Sequence, residues 1–236
     1  MRASPLRDPL ESLSLYLGSR YGALLVALLG LMATYPFASA HRPARWLLDL
    51  LGALVLLSLL RAVAGRRLTQ RVVLALGIPA IGVGALARSG GIDALYPVGL
   101  ALRVTFFAII VVRLFADVLQ RRRVTMDAVL GACCVYLLLG IGWAGIYSLI
   151  EWAAPGSFNL PVGNGGGASQ TSIELELVYF SLITMTTVGY GDITPASDPA
   201  RIVAALEALL SQLYLATIIA RLVGMELVHR ERDPSS

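Results

Sequence analysis

A chain of 236 residues with 57% hydrophobic side chains, 14% charged ones and a mean hydropathy of +0.74 lacks the polar surface of a water-soluble domain. Its net charge is only +4, and its 19 basic residues, all arginine, form no dense stripe of the kind that tracks a phosphate backbone, so nucleic acid is excluded as a partner. The two cysteines, Cys133 and Cys134, are adjacent in an apolar run, which excludes a disulfide framework and leaves them as small buried hydrophobes.

In chain order, residues 1–20 form a cytoplasmic N-terminal segment in which Asp8, Pro9 and Glu11 read as the N-cap, first-turn proline and capping-box acid of a short surface helix. A helix needs about 20 apolar residues to cross the hydrocarbon core. Six runs approach that length: 21–37, 46–63, 72–87, 94–119, 129–152 and 202–223. The first ends in Ala38, Ser39 and Ala40, which also suits a signal-peptide cleavage site, but its acidic flank favours a retained helix. The third is short, and the fourth carries Pro97 near its start.

Arginine placement sets the orientation, because cytoplasmic flanks collect positive charge. Arg61, Arg66, Arg67 and Arg71 follow the second run, Arg121, Arg122 and Arg123 the fourth, and Arg230 and Arg232 the sixth. Residues 151–199 contain no basic residue and read as external, so both termini are expected inside. Arg42 and Arg45 break the rule but are outnumbered.

The fourth run lacks the arginine at every third position that a voltage sensor needs. Phe106, Ile109 and Val112 occupy the positions three, six and nine after Arg103, and Arg113 has Asp117 one turn away. One full gating charge is worth about 2.3 kcal/mol per 100 mV, so one or two partly neutralised arginines predict only shallow voltage dependence. Arg103 and Arg113 are expected to pair with Asp49, Asp117 or lipid headgroups. Residues 21–123 thus make a four-helix membrane region without a regular sensor.

Between the fifth and sixth runs, the sequence Gly163-Asn164-Gly165-Gly166-Gly167-Ala168 has neither the preceding strand nor the Lys-Ser/Thr of a phosphate loop and reads as a flexible external turret. Thr171 and Glu174 resemble a capping box at the start of a helix over about residues 173–186. At 1.5 Å per residue such a helix is only about 20 Å long and enters the membrane partway. The chain beyond it runs Thr187, Val188, Gly189, Tyr190, Gly191 and Asp192. Non-helical backbone at membrane depth is tolerated only inside protein or beside a watery cavity. Gly189 and Gly191 accept positive φ, which lets successive carbonyls turn toward one axis while Val188 and Tyr190 point away.

Thr187 to Gly191 spell the signature of the tetrameric potassium channels, and the surrounding pore-helix sequence, with Thr186 before and Asp192 and Pro195 after, resembles the six-helix group of that family. Residues 202–224 resemble the inner helix of small bacterial channels. The resemblance covers residues 124–230, a pore domain followed by a short tail at 231–236; the first four runs match only in number and hydrophobicity. It implies an all-α membrane protein of six transmembrane helices, the last two flanking a re-entrant pore helix and filter loop. It further implies that K⁺ is the permeant ion, held by the carbonyls of Thr187, Val188, Gly189 and Tyr190 and by the Thr187 hydroxyl. Thr186 and Gly191 would support the filter, Tyr179 and Phe180 would brace Tyr190, and Asp192 would stand at the outer mouth. A cation is enclosed by four such strands and the chain has one, so a homotetramer in contact with membrane lipids is expected. Accessory chains remain open.

By the same resemblance Ala208, Gln212, Leu215 and Ile219, at helical spacing, are expected to line a cavity below the filter, the alternative being that the stripe packs against the fifth helix. Ser211 stands where related inner helices often carry a hinge glycine. Glu207, an ionisable group inside a span, is either a buried buttress behind the filter or a charge that concentrates cations in the cavity. The tails before Tyr21 and after His229 leave no room for a nucleotide- or calcium-binding domain, and His41 and His229 support neither metal ligation nor catalysis. No convergent catalytic set is present, so an enzyme is not expected. The competing functions are a non-selective cation channel and a potassium uptake transporter. The expected location is the plasma membrane, with the all-arginine basic set pointing to a bacterial inner membrane.

Overall fold

The computed structural model describes residues 19, 21–38, 42–62, 67–90, 95–121, 125–161 and 170–232. Seven helices lie among them: α1 Gly22–Ala38, α2 Arg42–Ala62, α3 Arg67–Gly90, α4 Tyr96–Gln120, α5 Met126–Ala153, α6 Gln170–Met185 and α7 Asp198–Arg232. Two short strands, β1 Phe158–Asn159 and β2 Thr194–Pro195, flank α6 in sequence and pair antiparallel, Phe158 opposite Pro195 and Asn159 opposite Thr194.

Among the described residues, three helices are long and apolar enough to cross a membrane: α4, α5, and α7 as far as Met225. The stretches Gly22–Thr34 in α1 and Leu50–Arg61 in α2 are apolar but shorter. α3 carries Arg67 and Arg71 in its first turns and Pro79 within it. Helix ends differ from the sequence expectation by a few residues, since polar residues such as Asp198 continue a helix without being apolar.

Local signals explain the best-defined boundaries. Pro97 lies in the first turn of α4, where its missing N–H is no loss. Thr125 caps α5 in extended conformation and accepts from the Ala128 N–H at 3.2 Å. Only residues 121–125 separate α4 from α5, and so short a connection folds the two helices back to back within one chain. Their close approach uses small residues, the rule where lipid gives helices little hydrophobic reason to associate. A Cβ on Gly145 of α5 would sit 2.8 Å from Val104 of α4, and one on Gly140 would meet Leu182 and Met185 of α6 at 3.1 and 3.2 Å.

The core has two centres. The first gathers Tyr21, Leu24, Leu59, Ile110, Leu138 and Tyr214 from α1, α2, α4, α5 and α7. The second, beside the strands, joins Tyr147, Phe158, Leu177, Phe180, Ile193 and Ala200 around α6.

Several side chains depart from expectation. Cys134 is buried but Cys133 is exposed, because neighbours about 100° apart on a helix cannot both face one core. Asp117 pairs with Arg121 rather than Arg113: both lie one turn away, but Arg121 also meets Asp127 at 2.9 Å and lies over the Tyr21 ring, whose hydroxyl donates to Asp117 at 2.9 Å. Arg113 is exposed. Arg103 pairs with Glu174, a partner that sequence separation concealed. Asp8, Pro9, Glu11, Ser39, Ala40, His41, Arg66, Arg122, Arg123 and the glycine-rich stretch 163–168 lie outside the described residues, as do the side chains of Asp49 and His229.

Candidate functional site

α6 spans 16 residues and starts at Gln170, earlier than the Thr171 cap expected, so Thr171 lies inside the helix and Glu174 is engaged elsewhere. At its far end the chain does not leave freely. The N–H groups of Val188 and Gly189 both donate to the Ile183 carbonyl, at 2.9 and 3.2 Å, and the Thr187 N–H donates to Thr184 at 3.0 Å. The turn is thus pinned by its own amides to the last carbonyls of α6, which a helix terminus leaves available.

Backbone dihedrals then alternate. Thr187, Gly189 and Gly191 have φ of 60°, 50° and 80°, while Val188 and Tyr190 between them stay negative. Reversing the sign at every second residue rotates successive peptide planes so that their carbonyls face one side, where an ordinary strand would alternate them. Thr187 is the strained member, since a left-handed conformation costs an L-residue about 1–2 kcal/mol. Among the described residues no hydrogen bond ends on the carbonyls of Thr187, Val188, Gly189 or Tyr190. The Thr187 hydroxyl donates to the Thr186 carbonyl at 2.7 Å, which leaves its own lone pairs uncommitted. Val188 is 49% and Tyr190 73% exposed in the single chain.

The supports of this turn come from three helices. Tyr136 of α5 donates to the Met185 carbonyl at 3.0 Å, and Gln212 of α7 lies 3.4 Å from the same oxygen. Glu207 of α7 is 0% exposed and accepts from the hydroxyls of Tyr147 on α5 and Ser181 on α6; Ser181 also lies 2.9 Å from the Gly140 carbonyl. No cation pairs with Glu207 among the described residues.

Downstream, Tyr179 donates to Asp192 at 2.7 Å, and the Ile193 N–H donates to the other Asp192 oxygen at 3.1 Å. That hydrogen bond pushes the Tyr179 phenol up to about 12. Burial, then the Asp192 charge, raises Glu176 above the usual carboxylate range. Glu151 accepts from the Gly156 and Phe158 amides at 2.8 and 3.0 Å and so ties the start of β1 to the end of α5.

The expected site residues are thus distributed unevenly. Thr186 to Asp192 form one continuous exposed turn, with Tyr179 attached to it. Phe180 is buried against Tyr147 and Phe158 at centroid distances of 5.2 and 5.5 Å, so it does not brace Tyr190 within the chain. On α7, Gln212 and Ile219 are exposed, Ala208 and Leu215 half-buried, and Leu215 packs on the first core centre. α7 runs unbroken through Ser211 and Gly224. Sequence reasoning missed Tyr136, Tyr147, Ser181 and Glu151; the available signal was that Tyr136, Tyr147 and Glu151 are polar groups on the mostly apolar α5, whereas Ser181 lies on a helix with several other polar residues and gives no such signal.

Three apolar helices of crossing length make this a helical, multi-pass membrane protein. The profile of a family described as ion channel matches residues 162–226, which contain the turn, α6 and most of the apolar part of α7. Protein LctB of Bacillus caldotenax is 31% identical over 101 residues, 43% of this chain and 74% of that protein. A two pore potassium channel b of Oryza sativa subsp. japonica is 53% identical over 36 residues, 15% of this chain but only 10% of the plant protein's length. The chain belongs to the ion-channel family.

Proposed function

We propose that four copies of this chain form a potassium-selective channel whose filter is the backbone from Thr187 to Tyr190. The observation that carries this reading is the alternating φ at Thr187, Gly189 and Gly191, with the carbonyls of Thr187 to Tyr190 unpartnered among the described residues while the N–H groups of Thr187, Val188 and Gly189 are tied to α6. Carbonyl oxygens replace the hydration shell of a dehydrated cation, with the Thr187 hydroxyl completing the lowest ring. One strand offers oxygens on one side only, so the site is complete when four strands surround an axis. Exposed Val188 and Tyr190 then face neighbouring subunits, as do apolar residues of α7 such as Leu209 and Leu213.

In this reading the chain crosses the membrane six times with both termini in the cytoplasm of a bacterial cell, and α6 is the re-entrant pore helix. Ala208, Gln212, Leu215 and Ile219 border the cavity beneath the filter. Glu207 acts as a buttress behind it, supported by its burial and by its two hydroxyl donors from α5 and α6. The plant relative's name supports potassium as the ion.

Purified protein in liposomes under opposed K⁺ and Na⁺ gradients tests the proposal. A reversal potential close to the K⁺ equilibrium value is expected. A value near zero would make the protein a non-selective cation channel, and absence of current under every voltage, pH and lipid condition would remove the channel reading.

A further inference from the structure

We propose that Arg103 of α4 positions the filter by clamping the first turns of α6 through Glu174. The two terminal guanidinium nitrogens of Arg103, Nη1 and Nη2, donate to Glu174 at 2.9 and 2.8 Å, and the Tyr96 hydroxyl donates to the same carboxylate at 2.9 Å. A two-pronged arginine–carboxylate pair constrains orientation as well as distance, which a lysine or a single hydrogen bond does not. The pair is 25% and 21% exposed and borders a cavity of about 50 Å³ walled by Leu100, Val104, Phe107, Ile141 and Val178. Apolar walls weaken the dielectric screening that would otherwise make such a pair worth little.

The clamp acts on the filter because α6 is a short rigid rod. Glu174 sits near its beginning, and Ile183, which accepts from the amides of Val188 and Gly189, sits near its end. Rotation or withdrawal of the first turns therefore moves the carbonyl on which the filter turn hangs. α4 is itself held at its other end, where Arg221 of α7 donates to the carbonyls of Leu119 and Arg121. The brevity of residues 121–125 keeps the clamp within one subunit. α4 is thereby a fixed strut between α7 and α6, and Arg103 is a positioning residue with no mobile charge to contribute to voltage sensing.

The selectivity part of this inference rests on the channel reading, so two measurements separate them. In the full-length protein, amide hydrogen exchange at Val188 and Gly189 is expected to accelerate at least about fivefold in Arg103→Gln and in Glu174→Gln, the lower end of typical coupling between sites. The charge-swapped double variant Arg103→Glu with Glu174→Arg is expected to restore most of the protection. Exchange in α1 and α2 is expected to stay unchanged. Unaltered exchange at Val188 and Gly189, or equal acceleration in α1 and α2, would overturn the clamp whether or not the protein conducts. In liposomes the same neutralisations are expected to reduce the K⁺/Na⁺ permeability ratio. A lower yield with an unchanged ratio in the surviving channels would reduce Arg103 to a fold-stabilising residue. Should Arg103→Gln fail to fold, Tyr96→Phe, which keeps the ion pair and removes one hydrogen bond, is expected to give a smaller acceleration of the same sign, and none would count against the clamp.

Discussion

A glycine at position 189 is required for its dihedral and not for lack of room: φ is +50°, yet a Cβ there would meet no atom of this chain within 4 Å. Gly189→Ala therefore costs the isolated chain only about 1–2 kcal/mol of left-handed strain, and the expected outcome is a folded, assembled protein with little or no current. Normal selective currents from that variant, recorded in planar bilayers, would contradict a filter built from these carbonyls. Glu207 poses the opposite case, since its chemistry and not its backbone is unusual. Glu207→Gln preserves volume and an acceptor, so single-channel conductance near the wild-type value is expected. Glu207→Ala strands the Tyr147 hydroxyl, worth about 1–3 kcal/mol when buried without a partner, while Ser181 keeps the Gly140 carbonyl as acceptor. That variant is expected to lower the melting temperature. A large conductance fall in Glu207→Gln at normal protein yield would favour a cavity charge over a buttress.

Helices meet here through matched absences of side chain. Gly145 and Val104 bring α5 onto α4 so closely that an added methyl lies 2.8 Å from a stiff valine branch. Gly145→Ala is expected to destabilise by about 1–3 kcal/mol, and Val104→Ala in the same chain should recover part of the loss. Differential scanning of the purified single and double variants measures that coupling; additive losses would mean that the two helices do not touch at this point. α6 shows a second element-scale principle. Its 16 residues are too few to cross a bilayer, and Met185, Ile183 and Glu174 are each met by partners outside the helix.

At the scale of the molecule, Leu209, Leu210, Leu213, Ile219 and Val223 expose apolar side chains along α7, and the carbonyls of Thr187 to Tyr190 accept no hydrogen bond among the described residues. In the tetramer proposed above, neighbouring chains or lipid cover the first, and an ion held by four strands satisfies the second. A ligand bound only by the assembled state raises its stability in proportion to the logarithm of ligand concentration. Exchange of K⁺ for a large organic cation is accordingly expected to lower the temperature at which the oligomer dissociates in detergent, with the assembled mass close to four chains. An oligomer of two chains, or a stability indifferent to K⁺, would count against the fourfold site.

Three of the six expected crossing helices, α4, α5 and α7, and the anomaly of a carboxyl group at Glu207 inside an apolar helix are legible in residue order because each depends on local composition or on one residue's chemistry. Partner choice is not. Asp117 had arginines one turn away on either side, Arg103 found its carboxylate 71 positions on, and Phe180 packs into a cluster with Tyr147 and Phe158 that its sequence neighbours do not announce. Such contacts join residues far apart in sequence, and which of several chemically equivalent partners is taken depends on how helices rotate and dock, a property that no single segment carries.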